Sequence, residues 1–489
     1  MQSLKLKSAL FQSLLTLLAS AGVAQAGGVD HSHPAADPSE WVTLAFAALL
    51  VAMIISLALE EKLHAKKSLI VALYAGVGLV AASALGLMNF GAVTLPGGHL
   101  IEMPVYIPAI DWGVIAIIIG SSLFVDVTSR SGLFTWIAIK LTKTSRGDPL
   151  KLLWYYGLMT VVFSAVLNNV TAMIIVGSLT GVSLGKLGQR DKLLGFLLVE
   201  GFLTNIGGLL TLISSVPNII VGNAAGISFI QFFLTASPYV LVATVATIFM
   251  GARLFRIQAL RSDAERATAQ ALVEGFDEND GIESPFFFRF ATAMLIFFVL
   301  AIATTSALPV VSDLGMGFVA LAFAAVMLIR YKSDVDQFYK SIDWDLIIFF
   351  MSLFIFIHVL EQAQVLDLIG KGIALLIGDG ESASGTGSLL VASAVFSSVT
   401  DNIPLAAMLA KILSAAGTPG DSSLWWSVVF GANLGGNITP IGSASTLVAV
   451  TLIHKYKLPL SFAGFVSKAL PYAVLQIALA TVYVLVFLR

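Results

Sequence analysis

The chain has 489 residues, of which 57% are hydrophobic and 11% charged, with a mean hydropathy of +0.93. That composition belongs to an integral membrane protein and excludes a soluble globular domain. A net charge of −2 argues against a nucleic-acid partner, and the absence of cysteine excludes disulfides, thiolate nucleophiles and thiolate metal sites.

Residues 1–26 carry Lys5 and Lys7, an apolar run over 8–23 and Ala24-Gln25-Ala26. They read as a secretory signal, with an uncleaved first helix as the other reading. After cleavage the mature N-terminus, with His31, His33 and Asp37, would be periplasmic, and the two histidines read as part of a solvated tail. Residues 27–110 hold the first scaffold helices. Span 41–59 runs inward to Glu60, Glu61, Lys62, Lys66 and Lys67, and span 68–88 returns outward to a Gly/Pro-rich loop that ends at Asp111.

Residues 111–250 form a first repeat. Its opening span, 112–141, ends among Lys140, Lys143, Arg146 and Lys151, which marks that end as cytoplasmic. The segment 152–184 starts beside Lys151 and finishes beside Lys186, Arg190 and Lys192. Both ends therefore lie inside, as a re-entrant hairpin with its tip at Asn168-Asn169 requires; two short full spans would also satisfy this. Residues 193–221 go outward with a polar interruption in the middle, and 229–250 come back. The hydrophilic stretch 251–285 is a cytoplasmic connector, partly helical, read as a solvated linker in preference to a regulatory element. Two scaffold spans, 286–306 and 315–329 within 286–342, return to Arg330, Lys332 and Lys340, and residues 343–489 form a second repeat.

The repeats are visible as words. FSAVLNNVT at 163–171 answers to FSSVTDNIP at 396–404, and NIGGLLTLIS from Asn205 answers to NLGGNITPIG from Asn433. Ile110-Asp111-Trp112 recurs as Ile342-Asp343-Trp344. The first copy starts outside and the second inside, so the repeats are inverted, and their broken helices place a site near the bilayer midplane. Polar segments are costly in hydrocarbon unless they face protein or water, so the repeated ones are the candidate substrate site.

This pattern, with SxxxxN in each hairpin (Ser164 and Asn169; Ser397 and Asn402), resembles the ion transporter superfamily: NhaD-type sodium/proton antiporters, arsenite permeases, citrate transporters and sodium-coupled dicarboxylate carriers. The resemblance runs from about Asp111 to the C-terminus. It implies an all-α polytopic membrane protein with a scaffold and a transport domain per protomer, a homodimer, and an elevator-like motion. It also implies Na⁺ at Ser164 and Asn169 in one site and at Ser397 and Asn402 in the other. The chemistry of the residues is compatible, because a partly dehydrated Na⁺ takes about five or six oxygens, from hydroxyls, amides and unwound backbone. The further candidate ligands are Asn168, Thr171, Asn205, Thr211, Asn433, Asn437 and Thr439. Gly207, Gly208, Gly435 and Gly436 are expected to allow close approach and strained backbone angles, or simply helix packing. The polar lining is expected to continue through Ser214, Ser215, Asn218, Ser443, Ser445 and Thr446, some of them only bonding back to their own helix.

Asp401 is the sharpest single residue, since a carboxylate at a hairpin tip is functional by default and could hold Na⁺ when ionised and a proton when neutral. The alternative is a structural hydrogen bond. Asp126 and His358 occupy equivalent places in the two halves and are candidates for a proton relay, with helix-end pairing near Arg130 and Glu361 as the other reading. Glu200, just before Asn205, is the better companion to Asp401. Antiporters of the NhaD type carry an acidic residue where this chain has Asn168, so an anionic or neutral substrate is also tolerable here.

An intramembrane enzyme is disfavoured because cysteine, HExxH, GxSxG and facing paired aspartates are all absent. A channel is disfavoured by the rigid inverted repeats. The expected protein is a secondary transporter of the inner membrane with Na⁺ or H⁺ as coupling ion and no other cofactor. Sodium/proton antiport leads; arsenite or citrate/dicarboxylate transport comes second.

Overall fold

A computed structural model describes residues 38–88, 92–94, 100–378 and 382–489; the expected signal segment and His31, His33 and Asp37 lie outside them. Helices of seven residues or fewer aside, the chain begins with α1 (Glu40–Ala58) and α2 (Lys67–Ala84), followed by a small strand pair, β1 (Ala92–Thr94) against β2 (Leu100–Glu102). The first repeat comprises α3 (Trp112–Ser129), α4 (Leu133–Ser145), α5 (Pro149–Val166), α6 (Asn169–Lys186), α7 (Leu193–Gly207), α8 (Val216–Ala225) and α9 (Phe229–Leu254). The connector contains α10 (Asp263–Glu274), and the central scaffold pair is α11 (Pro285–Thr304) and α12 (Pro309–Leu328). The second repeat runs α13 (Trp344–Gln362), α14 (Val365–Ile377), α15 (Ala383–Val399), α16 (Asn402–Ala415), α17 (Ser423–Gly435), α18 (Ala444–Lys455) and α19 (Phe462–Phe487).

The seven helices of one repeat answer in order to the seven of the other. Among the described residues nine helices are long and apolar enough to cross a membrane. Between the starts of α3 and α13 the chain crosses five times, by α3, the broken pair α7–α8, α9, α11 and α12. An odd number puts the two starts on opposite faces, which is what makes the repeats inverted. The interposed α4 has 13 residues, about 20 Å of helix, too short for a hydrocarbon core of about 30 Å.

The recurring Ile-Asp-Trp word is a helix start. Asp111 Oδ1 accepts from Val114 N at 3.0 Å and Asp343 Oδ1 from Leu346 N at 3.1 Å. The following indoles, Trp112 and Trp344, reach back to the carbonyls of Ile107 and Tyr339, both at 3.1 Å. Both α9 and α19 carry an internal proline at equivalent places, Pro238 and Pro471.

Three expectations are corrected. Span 112–141 is not continuous: it breaks at residues 130–132, where Gly132 takes φ 81° and the connector passes so close that a Cβ there would lie 2.4 Å from the Gly281 carbonyl oxygen. The second scaffold span of the pair starts earlier than 315, at Pro309, with Gly315 as a kink inside it. The connector, read as a solvated linker, is docked on the repeat. Glu278 pairs with Lys140 at 3.1 Å and with Lys143, and Leu260 N donates to Asp148 Oδ2 at 3.0 Å.

The scaffold packs in two matching pairs, α12 on α3 and α2 on α13. At the first, a Cβ on Gly120 would meet the Ala320 backbone at 2.5 Å, the close approach that small residues permit where lipid supplies no hydrophobic drive. Outward faces are apolar, as with Leu234, Leu241 and Phe249 of α9 and Val474, Val482 and Val486 of α19, which suits a bilayer as solvent.

Candidate functional site at the hairpin tips and helix breaks

Each hairpin is two antiparallel arms. The hydroxyls of Tyr156 on α5 and Ser183 on α6 bond at 2.8 Å toward the open end, while Asn168 caps α6 by accepting from Thr171 N at 2.7 Å. The tip stops beside the break of α7–α8, where Asn169 Nδ2 donates to Asn205 Oδ1 at 3.3 Å. A hairpin that reaches only to the interruption of a spanning helix is re-entrant, which sets aside two full spans.

Hairpin and broken helix are tied at matching points in both repeats. Ser164 Oγ donates to the Thr204 carbonyl at 2.6 Å, and Ser397 Oγ to the Ala432 carbonyl at 2.5 Å. Thr211 Oγ1 donates to the Ala165 carbonyl at 2.5 Å, and Thr439 Oγ1 to the Ser398 carbonyl at 2.5 Å. Gly207 and Gly435 allow this proximity, since a Cβ would sit 2.7 Å from the Val161 carbonyl oxygen in one repeat and 2.2 Å from that of Ala394 in the other. The glycines of both breaks have negative φ, with Gly208 at −59° and Gly436 at −58°. Close approach, and not strained backbone, is therefore their role.

The two breaks meet at the centre of the molecule, and there the bonding crosses between repeats. Ser443 Oγ donates to Asn205 Oδ1 at 2.9 Å and Ser215 Oγ to Asn433 Oδ1 at 2.8 Å. Asn205 Nδ2 donates to Thr446 Oγ1 at 3.2 Å, and Asn433 Nδ2 to Asn218 Oδ1 at 2.9 Å. All six of these residues are buried. The unwound carbonyls are served locally: Ser214 Oγ and Asn218 Nδ2 both donate to Gly208 O at 2.6 Å, and Thr446 Oγ1 donates to Gly436 O at 2.9 Å. Buried polar groups so completely paired rigidify the breaks.

One branch has no counterpart in the other half. Asn437 accepts from Asn205 Nδ2 at 2.7 Å and donates to Gln476 Oε1 at 2.8 Å, and Gln476 Nε2 donates to Thr247 Oγ1 at 3.0 Å. The equivalent positions are Leu209, Ala243 and Ala480. Gln476 and Thr247 were not singled out from sequence; their signal is a glutamine inside an otherwise apolar span.

Asp401 caps α16, accepting from Ile403 N at 3.2 Å, as Asn168 caps α6. Its second oxygen, Oδ2, holds the Lys67 ammonium of α2 at 2.8 Å, with the aspartate side chain 8% exposed and the lysine 24%. Lys67 is thus a site residue that sequence reasoning missed. A cavity of about 630 Å³ lies against this pair, lined also by Leu50, Ile54, Phe396, Thr400 and Pro404.

The remaining candidates are placed as follows. Glu200 is fully buried beside the first hairpin; Thr180 Oγ1 donates to its Oε1 at 2.6 Å, and Oε2 has no hydrogen-bond partner among the described residues. Asp126 accepts from Ser341 at 2.7 Å, and His358 Nδ1 faces Glu361 at 3.6 Å, which in turn accepts from Lys411 at 3.2 Å. Those bonds do not join Asp126 or His358 to the central network. Asn402 and Ser397 are buried at the second tip, and Asn168, Asn169 and Thr171 are half-buried at the first.

The sequence pattern of the citrate transporter family matches residues 40–431. The 46 kDa membrane protein of Mycobacterium leprae is 32% identical over 380 residues, covering 76% of this chain and 86% of that protein. The arsenical pump membrane protein of Escherichia coli is 24% identical over 374 residues, with 74% and 83% covered. Among solved structures, the Alcanivorax borkumensis YdaH transporter superposes with a TM-score of 0.55 at 12% identity, over 91% of this chain and 98% of that one, a likeness of fold. With inverted hairpins, broken helices and a cross-bonded centre in place, these matches make the chain a membrane transporter and not an enzyme: it belongs to the citrate transporter family.

Proposed function

We propose that the protein is a secondary transporter of the inner membrane that exchanges a small cation, Na⁺ or Li⁺, for protons by alternating access, with Asp401 as the shared site. The observation that carries this reading is the placement of Asp401: a carboxylate at a hairpin tip that ends beside a helix break, on the wall of a 630 Å³ cavity. One carboxylate that holds a metal ion or a proton, but not both, is the simplest physical basis for exchange. Hydroxyl and amide oxygens of Ser397 and Asn402 lie on the same tip. Ser164 and Asn169 offer the equivalent set on the first. Asn205 and Asn433 are engaged in joining the repeats and serve as supports for these tips.

A second reading rests on a specific observation. Lys67 neutralises Asp401, Asn168 is uncharged, and two helix N-termini point their positive ends at the tips. That field tolerates an anion, in keeping with the citrate and arsenical descriptions of the family and of the Escherichia coli relative. Proteoliposomes loaded with a pH-sensitive dye and challenged in turn with Na⁺, Li⁺, K⁺, citrate and arsenite separate the two. A cation-triggered proton flux lost in Asp401→Asn supports exchange; silence with cations and a response to an anion replaces it with the second reading.

A further inference from the structure

Lys67 sits at the first turn of α2, the positive end of the helix dipole, where a cation is disfavoured. Its position is therefore set by partners and not by the helix. α2 belongs to the scaffold, packed on α13, where Ser68 donates to Asp345. Asp401 belongs to the hairpin α15–α16, which is tied to the broken helix α17–α18 by Ser397 and Thr439. The ion pair thus bridges the two bodies that must slide for alternating access. Glu60, Lys62, His454 and Ser461 line the adjoining cavity. They belong to the α1–α2 turn and the α18–α19 region, where Lys62, Lys66, Lys67, Lys455 and Lys457 collect, the end that the positive-inside rule makes cytoplasmic. The open ends of α15 and α16 lie at the opposite face. The tip of the second hairpin is consequently reached from the cytoplasmic side, an inward-open arrangement.

We propose that the Lys67 ammonium is a tethered counter-cation for Asp401, held on the scaffold, which competes with the transported cation in the inward-open state and expels it there. This rests on the reading of Asp401 as the cation site. The geometry explains why a fixed lysine should stand at a carboxylate that is expected to bind a mobile ion. When the hairpin arrives at the cytoplasmic side it meets Lys67, exchanges its ion for the ammonium, and is held until another cation or a proton takes the carboxylate. Leaving without one would separate an ion pair and carry an uncompensated charge through the membrane.

The experiment uses the full-length chain in proteoliposomes, with Na⁺ titrated separately on each face. Lys67→Met is expected to lower the half-saturating Na⁺ on the cytoplasmic face about tenfold and leave the outer face unchanged, while Lys67→Arg, which keeps the pair, stays within twofold of the parent. Na⁺-dependent thermal stabilisation in detergent gives the same comparison if Lys67→Met does not transport, its midpoint falling by a similar factor. Equal half-saturation in Lys67→Met and the parent, together with loss of flux in Asp401→Asn, overturns the competition and leaves the Asp401 reading standing. Normal flux in Asp401→Asn overturns both. Loss of citrate or arsenite binding in Lys67→Met, with no response to Na⁺ in either protein, also overturns it and makes Lys67 an anion ligand.

Discussion

Asn205 and Asn433 hold equivalent places in the two repeats, and each accepts a hydrogen bond from the serine that flanks the other's break, Ser443 at 2.9 Å and Ser215 at 2.8 Å. Asn205 Oδ1 takes two further donors, Ser445 at 3.0 Å and Asn169 at 3.3 Å. Truncating it strands several buried groups, each costing roughly 1–3 kcal/mol. Asn205→Ala is expected to lose several kcal/mol and Asn169→Ala, half-buried at the tip, far less. Thermal unfolding in detergent ranks the two, and equal midpoints would refute the crossed network as a support.

At the tips the expectation concerns ions. Asn169→Ala and Asn402→Ala should raise the half-saturating cation concentration roughly tenfold, a loss near 1.4 kcal/mol, without a matching loss of stability. Unchanged cation dependence in both would remove the amides from the ion site.

Glycine at the second break is held by backbone on its far side. A methyl on Gly435 would lie 2.2 Å from the Ala394 carbonyl oxygen, which cannot swing away as a side chain can. Overpacking of this kind costs typically 1–3 kcal/mol, so Gly435→Ala should lower the unfolding temperature and impair transport. Gly76→Ala, which meets nothing within 4 Å, is the matched control and should behave as the parent.

Glu200→Gln keeps the shape of a buried side chain whose single bond comes from Thr180. Folding should survive. If the carboxyl carries a proton during the cycle, the amide cannot, and the pH profile of transport is expected to flatten while half-saturating substrate stays within a fewfold. A profile identical to the parent assigns Glu200 to packing alone.

On the connector, the ammonium groups of Lys143 and Lys140 hold the Glu278 carboxyl down at about 2. Its folded value lies below its unfolded one, so docking is fully present above the usual carboxylate range and is lost only as pH falls toward 2. Between pH 5 and 9 hydrogen exchange in residues 275–284 should not change through this pair, whereas Glu278→Gln should accelerate it at every pH in that interval, most visibly at low salt. No acceleration would show that Gly132 and Asp148 hold the connector by themselves.

Much of the architecture was legible because it is local or repeated. Asp111 and Asp343 mark helix starts by their own side chains, the hairpin word FSAVLNNVT sits where charge on both flanks demands a return, and FSSVTDNIP is recognised by its likeness to it. The break at residues 130–132 was overrun, although Thr128-Ser129-Arg130-Ser131-Gly132 is a local stop signal, because the apolar run resumes at Leu133; the approach of Gly281 from the connector to Gly132 lay beyond any local pattern. Lys67 was read as a boundary charge because its partner Asp401 is 334 positions away, and no periodicity reports a contact at that separation. Asn205 and Asn433 were identified as polar intrusions; that they pair with the opposite repeat follows only from the packing of α6 on α18 and α8 on α16.

The crossed bonding also bears on energetics between states. In a chain whose halves are related by a two-fold axis in the membrane plane, exchanging the local shapes of the repeats turns the molecule inside out while remaking the same set of contacts. Under the proposed alternating access the inward and outward states are then nearly isoenergetic by construction, and only features without a twin can tilt the balance. Two stand out: the Asn437–Gln476–Thr247 branch, facing Leu209, Ala243 and Ala480, and the charged tip at Asp401, facing Asn168. Under the proposed exchange the resting direction is thus written in a few side chains, and substitutions at Gln476 and Thr247 should reset it without touching the tip proposed to bind the cargo.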